Sequence, residues 1–348
     1  MAMDDRKQKV LLAIIQDYVA TAEPVGSRTI AKKYKLGVSP ATIRNEMADL
    51  EDQGFIEQPH ASAGRIPSER GYRYYVDYLM IKQELTRKEE DMIRREYETK
   101  VKEIGQVIQM TSQLLSQLTC YTAMVLTPRL GSSNFKHIQL VSMHPTQAMI
   151  IVVMDNGVVH NRMTEMPEGI SASDMETLSR VLNAKLQGAT IEDIKRTLLK
   201  EIYSELGKHR RILDMAMELI QDSLALRTGD KIYLGGVFNM LNQPEFHDVE
   251  KIKTMLSIME QEKLLCDLLA GESREEGVTV RIGNEIKQRS IRDYSVVAAP
   301  YVLGGRKAGS VGVLGPTRME YAKVIGVVDF MTRNLSQVLE RMIQGRGK

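Results

Sequence analysis

The chain has 348 residues, enough at roughly 150 residues per domain for two or three domains. Its content of 43% hydrophobic and 26% charged residues is that of a globular chain and excludes wholesale disorder. The 47 basic and 45 acidic residues sum to only +2, but the 22 residues between Glu23 and Glu46 hold Arg28, Lys32, Lys33, Lys35 and Arg44 without one acid. The longest apolar run, Ala148 to Met154, is far short of the eighteen or so residues that span a bilayer, so no membrane partner is expected. The opening MAMDDRKQKV puts two acids where a signal peptide has its basic start, which predicts a cytoplasmic location. Cys120 and Cys266 stand far apart with no metal-type spacing, arguing against a disulfide framework or a zinc site.

Between Asp4 and Val19, the residues Val10, Leu11, Ile14, Ile15 and Tyr18 recur at helical spacing and predict a first helix with a core-facing stripe. Glu23-Pro24 stops it, because the residue before proline is pushed out of the helical region. Ser27 to Tyr34 predicts a second, short helix with Ser27 as its N-cap and Ile30 and Tyr34 buried. After the turn Lys35 to Val38, Ser39-Pro40 predicts a third helix, a capping residue followed by proline at the first helical position. It runs to about Gln53 and ends at Gly54. Ile43, Met47 and Leu50 share one face of it, and at about 100° per residue Ala41, Arg44, Asn45 and Ala48 share the opposite one. Small residues around one Arg and one Asn suit a major groove, where Arg bridges guanine and Asn bridges adenine. The arrangement predicts a helix-turn-helix.

From Phe55 to Ser68 two strand-like pieces surround a loop of small residues. This predicts a wing that carries His60 and Arg65 toward phosphates or a minor groove. Glu69 to Leu85 predicts a further helix with Tyr72, Tyr75, Val76 and Leu79 as its stripe. Three-helix units of this size also occur in proteins that bind no DNA. The acid-free basic stretch favours DNA, since it supplies the charge that neutralises phosphates.

Four segments here, Pro24-Val25-Gly26-Ser27-Arg28, Ser39-Pro40-Ala41-Thr42-Ile43-Arg44-Asn45, Pro59-His60-Ala61-Ser62-Ala63-Gly64-Arg65-Ile66-Pro67 and Gly71-Tyr72-Arg73, resemble the winged-helix signature of the HrcA heat-inducible transcription repressors. Gly315-Pro316-Thr317-Arg318-Met319-Glu320-Tyr321 resembles that family's C-terminal block. The two blocks stand in the right order and span the chain nearly end to end. One departure is Ser68, where the family pattern has threonine; the hydroxyl is kept.

Arg87 to Leu118 predicts helix, interrupted at Gly105. YTAMVL, HIQLVSM and AMIIVVM are β-type runs, and Asp155-Asn156-Gly157 is a hairpin signal. Ser171 to Ala270 predicts mostly helix, with Ser173 and Glu176, and Thr190 and Asp193, as capping boxes; Lys231 to Val237 breaks it with a strand. Strands return at Val278 to Ile282, Ser295 to Leu303 and Gly309 to Leu314, and Pro316-Thr317 starts a final helix that ends at Gly345. A sheet interrupted by a largely helical block predicts an inserted domain. The resemblance implies the same plan, an α+β multidomain fold. Its parts are a winged helix-turn-helix over 1–85, a connecting helical segment over 86–118, a GAF-like α+β domain over 119–170 and 273–348, and an inserted, mostly helical dimerisation domain over 171–272.

The histidines at 60, 137, 144, 160, 209 and 247 show no metal-type grouping. The glycines from 304 to 315 accompany neither a GxxxxGK[ST] nor a GxGxxG motif in a strand-helix context, and no GxSxG elbow occurs. No enzyme, cofactor or metal is therefore expected. The resemblance implies a repressor that binds double-stranded DNA as a homodimer at the CIRCE inverted repeat, upstream of chaperonin and DnaK-system genes. It also implies the GroE chaperonin as the partner that keeps the repressor active. Helix geometry assigns base contacts to Arg44 and Asn45 with Thr42 near them, and backbone contacts to Ser27, Arg28, Lys32, Lys33, His60 and Arg65. The competing expectation is a regulator moved by a small-molecule effector in the GAF-like domain.

Overall fold

The computed structural model describes residues 3–98, 103–128, 135–144, 146–154, 159–165, 171–189, 214, 216–217, 231–246, 248–270, 277–288 and 291–345. Helix α1 (Asp5–Thr21) buries Val10, Leu11, Ile14 and Ile15 and ends at Ala22, whose left-handed backbone lets its N–H return to the Tyr18 carbonyl. Helix α2 (Ser27–Tyr34) buries Ile30. Its N-cap is Gly26, not Ser27, which is the first helical residue and makes no side-chain cap. Helix α3 (Pro40–Asp52) starts as expected, with the Ser39 hydroxyl accepting from the Thr42 N–H and proline in the first turn. Gly54, with φ +74°, turns the chain out of it.

Strands β1 (Ile56–Glu57) and β2 (Ile66–Pro67) pair antiparallel, Ile56 opposite Pro67. Val25 and Arg65 extend this hairpin by exchanging backbone hydrogen bonds of 2.9 Å in both directions. Gly64 permits the approach, since a Cβ there would lie 2.6 Å from the Val25 carbonyl. Helix α4 (Glu69–Tyr74) continues as a π-helical turn through Leu79, and Met80 is extended. The helix thus stops short of Leu85 because residues 80–86 run beside the last helix. There the Gln83 N–H donates to the Ala322 carbonyl, and a Cβ at Gly326 would meet the Gln83 oxygen at 2.1 Å.

The chain then forms α5 (Arg87–Glu98), α6 (Ile104–Thr119) and β3 (Thr122–Leu126). Gly105 lies inside α6 rather than at a break. Next come β4 (Phe135–His144), β5 (Gln147–Met154), β6 (Val159–Glu165) and α7 (Ala172–Leu186). The remaining elements are β7 (Ile232–Gly235), α8 (Val249–Glu260), α9 (Glu262–Ala270), β8 (Thr279–Ile282), β9 (Tyr294–Leu303), β10 (Arg306–Pro316) and α10 (Tyr321–Gly345). Two compact units result, one of Met1–Thr127 with Lys231–Lys348 and one of Pro128–Asp230.

The first unit is built on an antiparallel sheet of order β7-β3-β10-β9-β8. Successive side chains of a strand point to opposite faces, and this alternation sorts the sheet into two cores. Val297, Ala299, Tyr301, Val311 and Val313 pack under α6 and α10, while Val296, Ala298, Leu314 and Met124 pack under α8 and α9. The first of these cores continues without a break into the N-terminal helices, through Leu11, Ile43 and Tyr72. Helices α8 and α9 therefore belong to this sheet, not to an insertion extending to residue 272, because their apolar stripes cover one of its faces. The last helix begins at Tyr321 rather than at Pro316, since β10 stays paired with β9 as far as Pro316 opposite Tyr294.

In the second unit β4-β5-β6 form their own antiparallel sheet, so the strands over 135–165 are not part of the central sheet. The insertion begins at Pro128 and ends at Asp230 instead of spanning 171–272. Helix α7 covers the outer edge of β4: Ser179 Oγ and Asn183 Oδ1 accept from the N–H groups of Leu140 and Ile138. Side chains thereby satisfy an edge that would otherwise be open for pairing. The capping box of α7 is formed by Ser171 and Asp174, with Ser173 and Glu176 inside the helix. Thr190, Asp193 and Asp155-Asn156-Gly157 lie outside the described residues, though β5 and β6 pair antiparallel from Val153 opposite Val159.

Replacing Gly64 with alanine should destabilise the chain by about 1 to 3 kcal/mol, because the added methyl collides with backbone that cannot rotate away. The urea midpoint followed by circular dichroism measures this, and an unchanged midpoint would contradict the close approach.

Candidate nucleic-acid interface

Ile43, Met47 and Leu50 are buried, which turns Ala41, Arg44, Asn45 and Ala48 outward, and all four are exposed. Glu46, between the two faces, is buried and ion-paired with Lys7 at 3.0 Å and Arg6 at 3.4 Å. Hydrogen bonds to Glu46 and Asp49 hold the Lys7 ammonium above its ordinary pKa. The acid nearest Arg44 along the chain is thus neutralised from α1.

Arg28 and Lys32 on α2 are exposed, as is His60 in the hairpin loop. Among the described residues Arg28, Lys32 and Arg44 have no acidic partner. The Gln58 amide braces the loop by donating to the carbonyls of Ala61 and Ala63 at 2.9 and 3.0 Å. The exposed surface of α2 and α3 therefore carries cations, one amide and two small side chains.

Of the other expected contacts, Lys33, Arg65 and Thr42 have partners within the fold. Lys33 Nζ lies 2.5 Å from Oδ1 of Asp17, a buried carboxylate of α1, and this bond raises the Lys33 pKa. Arg65 donates from Nε and Nη2 to a single oxygen of Glu51, at 2.8 and 2.7 Å. Thr42 is half-buried, with its hydroxyl 3.0 Å from that of Ser39 at the helix cap. Ser27 is half-buried at the start of α2. The sequence reading missed Asp17 and Glu51 as anchors, because each meets its cation through tertiary folding and not at a helical spacing.

Among the described residues no group of three or more His, Cys, Asp or Glu side chains could hold a metal, and no helix is long and apolar enough to cross a membrane.

Residues 105–325 match the family model described as the HrcA protein C terminal domain. The chain belongs to the HrcA family. It is 74% identical over 348 residues, all of both chains, to the heat-inducible transcription repressor HrcA of Pelotomaculum thermopropionicum. It is 58% identical over 346 residues to the protein of the same name from Desulforamulus reducens, covering 99% of this chain and 100% of the relative. A crystal structure of a hypothetical protein is 25% identical and superposes with a TM-score of 0.63, over 98% of this chain and 100% of that one. The match to the HrcA C-terminal domain takes in β3, the second unit and the strands that close the central sheet.

In this HrcA family member the presentation of α3 depends on the Ser39 cap. Ser39→Ala should cost about 1 kcal/mol of stability, while Ser39→Asp, which keeps an accepting oxygen, should restore most of it. Thermal unfolding of the two variants checks this; equal melting temperatures would remove the role of the cap.

Proposed function

We propose that this chain is a transcription repressor that acts by occupying operator DNA, and not an enzyme. The observation that carries the proposal is the exposed face of α3, where Arg44 and Asn45 stand between Ala41 and Ala48 with the inner face of the helix fully buried. Helices α1 to α3 with the β1–β2 hairpin are read as a winged helix-turn-helix. Arg44 and Asn45 make the base contacts with Thr42 beside them. Ser27, Arg28, Lys32, Lys33, His60 and Arg65 hold the phosphates, Lys33 and Arg65 through the outer sides of groups already tied to Asp17 and Glu51. The names of the relatives support the repressor assignment.

One α3 reads only a few base pairs, so two copies related by a two-fold axis would read an inverted repeat. The resemblance to the HrcA repressors points to the CIRCE operator and to the GroE chaperonin as the partner that maintains the active form. On this reading the central sheet with its helices is the GAF-like domain, and the insertion from Pro128 to Asp230 serves dimerisation. Regulation follows from population: each 1.4 kcal/mol or so changes the active fraction about tenfold. A chaperonin drawn away by unfolded clients after heating would leave more of the repressor inactive.

A mobility shift with a CIRCE-type duplex over a salt series tests the proposal, because the slope of affinity against salt counts the phosphates neutralised. Arg44→Ala should weaken operator binding by about 1 to 3 kcal/mol and relax the preference at one base pair. Equal binding of cognate and scrambled duplexes by the unsubstituted chain would refute the function. Chaperonin with ATP should raise the operator-binding fraction of heated protein; the same fraction with and without it would remove the partner.

A further inference from the structure

Arg318 lies in the turn between β10 and α10, yet its side chain is only 9% exposed. Its Nε donates to Glu245 Oε1 at 2.5 Å and its Nη2 to Glu245 Oε2 at 3.1 Å, a two-pronged pair. Nη2 also reaches Gln243 Oε1 at 3.1 Å. The remaining prong, Nη1, donates to the main-chain carbonyl of Val19 at 2.6 Å.

Val19 stands in the last turn of α1, where carbonyls find no partner further along the helix. A cation there is favoured by the helix dipole, and α1 carries no basic residue in its last turn. Arg318 supplies it from 299 positions away. Burying a guanidinium is costly unless its donors are satisfied. Balancing Glu245 alone would not require the contact with α1.

Other ties join the N-terminal elements to the sheet, to the turn after β8 and to α10. Arg73 pairs with Glu285 and donates to the Val280 carbonyl, Glu69 accepts from Asn284, and Lys82 pairs with Asp329. These start from α4 or from the segment after it. Arg318 instead grips α1, the helix on which α3 packs.

We propose that Arg318 is a positioning residue for operator recognition: it clamps α1 to the central sheet, fixing the angle at which α3 is presented and so the half-site spacing that a pair of chains accepts. The proposal rests on the DNA-reading function given above. Without the clamp each reader keeps its own contacts but pivots about α4, so a single half-site is bound as before while the spacing of two becomes less critical.

The full-length chain, Arg318→Lys and Arg318→Ala are titrated by fluorescence anisotropy against one half-site duplex and against CIRCE-type repeats with spacers altered by one or two base pairs. Each base pair turns a half-site by about 34° and shifts it by about 3.4 Å. The unsubstituted chain should lose about tenfold in affinity or more on the altered spacers, and Arg318→Ala about threefold or less, with half-site binding within about twofold in both. Arg318→Lys, which satisfies fewer acceptors at once, should fall between them. A spacing profile that is flat in the unsubstituted chain, or unaltered in a folded variant, overturns the proposal. Loss of fold in both variants does so too, since Arg318 would then serve stability alone. If the unsubstituted chain binds no inverted repeat, the proposed function falls and this inference with it; binding with unaltered spacing removes the inference alone.

Discussion

The pairing of β10 with β3 is the constraint on which the rest of the molecule depends. The hairpin of β9 and β10 is local, joined by the turn at Gly304 and Gly305, and forms with little loop entropy. Placing Val311 to Leu314 against Thr122 to Val125 closes a much longer loop, and the cost of closure rises only slowly with length. Once made, that pairing sets two central strands whose alternating side chains feed two separate cores. Each core then selects the helices that cover it, α6 and α10 on one side, α8 and α9 on the other.

The N-terminal helices do not stand on a core of their own. Tyr72 packs against Tyr321 with ring centroids 5.8 Å apart, and the cluster runs on through Leu11 and Ile43. Stability of α3 is thereby linked to the sheet. The junction is not wholly favourable, since the buried Tyr72 hydroxyl has no hydrogen-bond partner among the described residues, a defect worth about 1 to 3 kcal/mol. Apolar packing and the polar ties at its rim offset that loss.

Local chemistry was legible in the residues. Ser39-Pro40, the stripe of Ile43, Met47 and Leu50 and the glycine at 54 located α3, and its outward face followed from helical geometry alone. Strands β3, β9 and β10 were legible from their apolar runs, because burial on both faces leaves few polar positions. What escaped was everything decided at a distance. Whether β4 to β6 joined the central sheet could not be read from their periodicity, which is the same in either sheet. The partners of Lys33 and Arg65 depended on Asp17 and Glu51 being brought near by folding, and the boundary of α10 depended on how far β10 stays paired. The N-cap of α2 also differed by one residue, Gly26 in place of Ser27, and helix ends are the least sharply defined part of the element.

The Thr127 N–H donates to the Lys231 carbonyl at 3.0 Å, so the chain leaves the central sheet for the insertion and re-enters it at neighbouring points. Both ends of the excursion lie beside paired neighbours, β3 and β7, whose ladder runs from Ala123 opposite Gly235 to Leu126 opposite Ile232. The cost of closing such a loop rises only slowly with its length, so the number of residues between Thr127 and Lys231 places little burden on the strands that flank it.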